Sequence, residues 1–294
     1  MLNLNYNINK AIGAGGCIGV MKYNYSASIE VYGGGGGGGT SATAGGGGGG
    51  GMYASRDISI VPNCTYQINV GGGGAIDADA TGSSVIGFDD DIQFPIEFYA
   101  GGGKKGVFDG GNSGTGSIVR AGVVIQDYTA KTGGTGAYIN TAFGPQYAAG
   151  GGASNTTNGT NGSVTSPNYS GGQGASGQTA GGGGGAYFAG PTGPYGNAGD
   201  NGGGIYGKGG QGYSNIQQGQ VNPRQATAGS SGAVVITYSG KPKAIVTNAT
   251  TTYNGSATTH IFATGSGTFL YINPYPWEQP STPYQVVKCP PLYQ

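Results

Sequence analysis

The chain has 294 residues and a formal net charge of 0, from 12 basic and 12 acidic side chains. Glycine occupies 69 positions, far above the ~7% of an average globular protein, and charged residues reach 8% where about 25% is usual. This composition excludes a helical bundle or an ordinary α/β enzyme, which need runs of Leu, Ala, Glu and Lys. Collagen is excluded too, because its glycines recur every third residue and these form solid runs. A nucleic-acid partner is not expected, since a neutral chain offers little to displace phosphate counterions.

Residues 1–12 alternate Leu2, Leu4, Tyr6 and Ile8 with polar neighbours, which suits an edge strand or an attachment arm. The spacing of Tyr23, Tyr25, Ala27, Ile29 and Val31 predicts a half-buried strand over 18–32. Gly33–Gly39 follow, then a short TSATA insert, then Gly45–Gly51. Residues 52–70 read as a hairpin with Pro62-Asn63 at its turn. A strand is expected over 92–100, with Pro95 at an edge or bulge, and one more over 116–128. Glycine dominates again from 133 to 232, with Asn/Thr/Ser loops at 153–168. AVVITYS closes that region as an apolar, β-branched strand. Two further strand candidates lie in KAIVTNATTTY and THIFATGSGTFLYI. The last residues are Pro-rich and suit an extended docking tail. The boundaries are therefore 1–17 for an attachment arm, 18–240 for a glycine-rich β domain, 241–273 for a small β extension and 274–294 for the tail.

The glycine runs admit two readings. One is a flexible tether. The other is ordered packing, in which residues without Cβ form extended threefold helices that lie close together and bond one another through the backbone. Patterned strands between the runs, and isolated Tyr, Phe and Ile inside them, favour packing. Mutual cover in a trimer would offset the entropy of ordering so many glycines. The expected fold is mainly β, with sandwich-like strands, packed polyglycine segments and almost no helix.

Cys17, Cys64 and Cys289 are widely spaced and form no CxxC pair, so no zinc site is expected and buried free thiols are. The N-terminal residues do not resemble a secretion signal, and no run of 18 apolar residues exists to span a membrane. Eight Asn-x-Ser/Thr sequons then reflect a polar surface. A surface-type composition without a secretory route suggests a protein assembled inside a cell and exposed later, as in a virus particle. His260 stands alone in a strand-like segment and reads as structural rather than as a general base. GAGGCIG at 13–19 fails as a dinucleotide loop, because a strand and not a helix follows it. Asp77, Asp79, Asp89, Asp90 and Asp91 cluster in an otherwise uncharged region. Hard oxygen ligands at that density suit Ca²⁺, and Glu97 could join them, but the spacing matches no EF-hand. The reading is a solvated rim, with no cofactor. Tyr138, Tyr147, Tyr187, Phe188, Tyr195, Tyr206 and Tyr213 stand in glycine-rich surroundings. Rigid amphipathic rings there suit recognition of a protein or a sugar. The competing reading packs them between chains or glycine layers.

The order of segments resembles a glycine-rich domain common in bacteriophage tail and fibre proteins. The matching pieces are SASIEVYGGGGGGG, the second glycine run, ISIVPNCTYQINVGGGG, GSSVIG, GGGGGAYFAG and GAVVITY, together covering about 26–240. THIFATGSGTF resembles the segment that usually opens such a domain, yet here it follows. The resemblance implies a virion structural component without enzymatic activity. A tail fibre or spike that contacts a host glycan or outer-membrane protein comes first. A capsid decoration covered by other virion proteins is the alternative, with a polysaccharide-acting enzyme far behind. A homo-oligomer, preferably a trimer, attached through its termini is expected.

Overall fold

The structure, a computed structural model, describes residues 25–40, 44–141, 144–165, 168–177, 182, 187–189, 202, 205–213 and 225–272. The expected arm and tail, Cys17, Cys289 and Tyr195 lie outside them. The described residues form seventeen strands and no helix. In chain order these begin with β1 (Tyr25–Tyr32), β2 (Tyr53–Ile60), β3 (Thr65–Asn69), β4 (Ser83–Asp89), β5 (Asp91–Ala100), β6 (Gly116–Arg120) and β7 (Val123–Tyr128). Next come β8 (Ala137–Thr141), β9 (Gly144–Ala148), β10 (Ser163–Thr165), β11 (Asn168–Ser170) and β12 (Tyr187–Ala189). The series ends with β13 (Ala233–Ser239), β14 (Ala244–Thr247), β15 (Thr250–Tyr253), β16 (Ala257–Phe262) and β17 (Ser266–Tyr271).

Twelve strands build a two-layer sandwich. One layer runs β14-β17-β3-β4-β5-β6-β7 and the other β2-β1-β13-β16-β15, joined by the single pair Ile60–Asp89. All neighbours are antiparallel. The period-2 patterns of β1, β3, β13 and β16 send alternate apolar residues inward. Ile29, Ile58, Ile236 and Phe262 from one layer meet Tyr66, Phe98, Ile118 and Phe269 from the other. Each such side chain contributes roughly 1.5–3 kcal/mol on full burial. Strands β14 to β17, from the region after the glycine-rich part, pair into these same two sheets.

Three local readings of the sequence are corrected. The turn at Pro62-Asn63 exists, with Asn63 at φ 61°, but β2 and β3 do not pair. They lie in opposite layers, so the turn is an arch over the end of the core. Tyr66 pins it, accepting from Val61 N and donating to Phe88 O. Residues 116–128 give two strands, because Ala121 and Gly122 take φ of 50° and 78° and reverse the chain in the manner of a primed hairpin turn. Cys64 is buried but disulfide-bonded and not a free thiol.

The glycine runs are ordered. Residues 33–39 turn their N–H groups to three neighbours in rotation. Gly34 and Gly37 bond the carbonyls of Thr81 and Ala78, Gly35 and Gly38 those of Ser230 and Thr227, and Gly36 and Gly39 those of Gly49 and Gly46. Three residues per turn is the polyproline-II repeat, which has no internal hydrogen bonds and needs partners outside itself. The carbonyls of the same run accept from Gly74 and Asp77, from Gly103 and Gly106, and from Gly210 and Tyr213. Six segments thus surround one, and all belong to a single chain. At the rim of this array, short polar side chains replace a neighbouring backbone. Asp109 and Asn112 accept from Gly136 and Gly133, and Asn158 and Asn161 accept from Thr132 and Thr135, at 2.7–3.0 Å. Hydroxyls of Thr81, Thr227 and Ser230 do the same for Gly72, Gln211 and Lys208.

Candidate recognition tip

Chain direction gives the molecule two different ends. Strands β1, β3 and β5 run into the array, and β2, β4, β6 and β13 start from it. Residues 33–39 therefore lead away from the sandwich, and residues 45–51, which bond them in antiparallel sense, lead back. Segments 101–107 and 207–213 run outward alongside 33–39. The hairpins β8–β9 and β10–β11 sit beyond the array, at its far end. Strand β12 joins them through β9 to make a three-stranded sheet in the order β12-β9-β8.

This end carries an aromatic group. Tyr138 on β8 is 54% exposed and faces Tyr147 on β9 across the register, with ring centroids 4.8 Å apart. Tyr147 meets Phe108 edge-on at 6.3 Å. Phe108 fills the space above Gly136, where a side chain would collide with its ring. Ile139, beside Tyr138 on β8, and Val107, beside Phe108, are exposed. Phe188 pairs with Tyr147 and Tyr187 with Ala148 along β12, which brings the backbone of both to the same small sheet. Phe108, Val107 and Ile139 were not singled out from the sequence. Only the fold places them beside Tyr138.

The other candidates go elsewhere. Tyr206 packs edge-on against Tyr32, which also meets Tyr53, at the seam between sandwich and array. Burial and then the bond to Glu30 push the Tyr32 hydroxyl's pKa well up. Tyr213 is half-buried within the array, its N–H bonding Gly39 and its carbonyl accepting from Gly45. Asp77 accepts from the N–H and hydroxyl of Thr40, and those bonds hold its carboxyl below the usual range. Asp79 is raised by partial burial, but the Lys105 N–H and the Lys104 ammonium outweigh this and lower it. Asp89 lies at the opposite end of the molecule, paired with Arg120 at 3.1 Å and accepting from Ser59 N. Asp90 turns the chain there at φ 71°, and Asp91 opens β5. Glu97 is exposed on β5. The aspartates are therefore spread over two ends, and Asp77, Asp79 and Asp89 bond backbone, hydroxyl or basic groups. Among the described residues no three His, Cys, Asp or Glu side chains converge to hold a metal. His260 is buried in the sandwich, with Tyr238 OH on Nε2 at 3.1 Å and Thr251 Oγ1 on Nδ1 at 2.8 Å.

A family model described as a glycine-rich domain matches residues 12–239. The chain belongs to the glycine-rich domain family. The matched region of this glycine-rich domain takes in the first layer-forming strands, the whole array and the tip, and ends with β13. No curated protein matches the chain, and neither does any solved structure.

Proposed function

We propose that this glycine-rich protein is a virion surface component, a tail fibre or spike that touches a host surface through its tip. The observation that carries the reading is the opposition of its two ends. The chain enters the sandwich at Tyr25 and leaves it beside Tyr271, and these two rings lie 5.2 Å apart. Both points lie at the end away from the tip, beside the arch where Asn63 N bonds Tyr271 O. The first and last residues of the sandwich thus lie at one end, and the exposed Tyr138, with Ile139 and Val107, lies at the other. That arrangement suits a molecule held at one end by other virion proteins and presenting the other outward. The ordered array is the spacer, stiffened by hydrogen bonds in every direction across its axis.

The partner class is a host glycan or an outer-membrane protein, to which Tyr138 offers a flat, half-wet ring. A homo-oligomer, with a trimer first, belongs to the proposal. Since residues 33–39 are already surrounded within one chain, such an oligomer joins whole molecules rather than sharing one array. The test is retention of purified protein on intact host cells. Tyr138→Ala with Ile139→Ser should abolish retention, whereas Ile245→Ser on exposed β14 should leave it unchanged. Equal retention of both variants would overturn the tip assignment.

A further inference from the structure

The chain contains four Asn-Gly dipeptides, at Asn158, Asn161, Asn201 and Asn254. This pair is the most open to intramolecular attack, because glycine places no side chain beside its backbone nitrogen. In three of the four, the array holds that nitrogen. Gly159 N bonds Thr132 O at 3.0 Å, Gly162 N bonds Thr135 O at 3.0 Å, and Gly202 N bonds Gly182 O at 2.9 Å. The fourth differs. Asn254-Gly255 forms the exposed turn between β15 and β16, at the attachment end of the sandwich. Gly255 takes φ +93° with open space at its Cα, and its N–H donates to no atom among the described residues.

The Asn254 amide is also polarised. Its Oδ1 accepts three hydrogen bonds, from Ser256 N at 3.0 Å, Ser256 Oγ at 2.9 Å and Ala257 N at 2.8 Å. Donors converging on a carbonyl oxygen stabilise the negative charge that develops there when a nucleophile adds to the carbon. We infer that Asn254 is the site of a spontaneous modification, conversion to aspartate and isoaspartate. Gly255 N gives its proton to solvent and bonds to Asn254 Cγ. The Cγ–Nδ2 bond breaks, and the nitrogen leaves as ammonia after taking a proton from solvent. Water then adds to either carbonyl of the resulting cyclic imide and opens it. No electrons are exchanged with any other group. The product carries a new carboxylate on a chain that otherwise has no net charge, at the end proposed for attachment. This inference rests on the turn geometry and not on the proposed function.

The experiment is peptide mapping by mass spectrometry of the full chain, held native in warm, mildly alkaline buffer. A parallel sample is held in denaturant. In the native protein the mass gain of about one dalton should accumulate at Asn254 at least about tenfold faster than at the other three sites, whose nitrogens react only after local opening. In denaturant all four should convert at similar rates. Native conversion at Asn158 or Asn161 that keeps pace with Asn254 would overturn the inference. So would a native Asn254 that stays intact while its denatured counterpart converts.

Discussion

Replacing Gly36 by alanine should destabilise the protein sharply, against the usual trend. At an unstrained exposed site, Gly→Ala stabilises by about 0.4–1 kcal/mol through the unfolded chain. At Gly36 the new Cβ would lie closer than 3.0 Å to the carbonyl oxygen and carbon of Lys104, a separation real Cβ atoms essentially never show. The obstacle is backbone, so no side chain can swing aside. Moving the run away stretches Gly36 N–Gly49 O and Gly210 N–Gly36 O, both 2.8 Å. Losing two buried backbone bonds at about 1–3 kcal/mol each, with overpacking of about 1–3 kcal/mol and the unfolded-chain gain set against it, gives a net loss of roughly 2–8 kcal/mol. Gly72 is the control. It lies in the same array, takes no positive φ, and a Cβ there meets only Thr81 Oγ1 at 3.8 Å. Urea unfolding of Gly36→Ala and Gly72→Ala should give a large drop in midpoint for the first and none for the second. Equal midpoints would refute the close-packed array and return the runs to the status of tethers.

Other outcomes follow from the same structure. Asn158→Ala removes the acceptor for Thr132 N and should cost about 0.5–1.5 kcal/mol in urea unfolding, while Asn155→Ala, outside that pairing, serves as comparison. Burial lowers the pKa of His260 below its ordinary 6.5. The unfolded chain then takes up the proton first, so stability is full above about pH 6.5 and falls as the pH drops through the folded value. This is the only histidine, so the slope between pH 6.5 and 5 should vanish in His260→Gln. Thiol titration of the unreduced, denatured chain should find one free thiol among the three cysteines, because the Cys64 disulfide uses two.

Much of the fold was legible in the sequence because strands announce themselves by period. The alternation in β1 and β13 marks inward residues directly, and the polyglycine runs left close packing as one of only two options. What the sequence withheld was pairing. Pro62-Asn63 marks a turn, but whether the chain returns to the same sheet depends on Tyr66 holding Val61 N and Phe88 O at the end of the core. The tip was half legible. Tyr138 and Tyr147 stood out by their glycine surroundings, yet so did Tyr206, which the fold packs edge-on against Tyr32. One signal was available and unused. Asp109 with Asn112, and Asn158 with Asn161, are spaced by three, the period that puts them on one side of a polyproline-II helix and aims both at the next segment.

The measurement that bears most directly on the proposed role is quantitative mass spectrometry of particles purified from the source culture, counting this chain against the major coat protein. A few to a few tens of copies per particle is the result expected of a fibre or spike held at one end. Hundreds of copies would make it a capsid component, and its absence from particles would contradict the virion reading altogether.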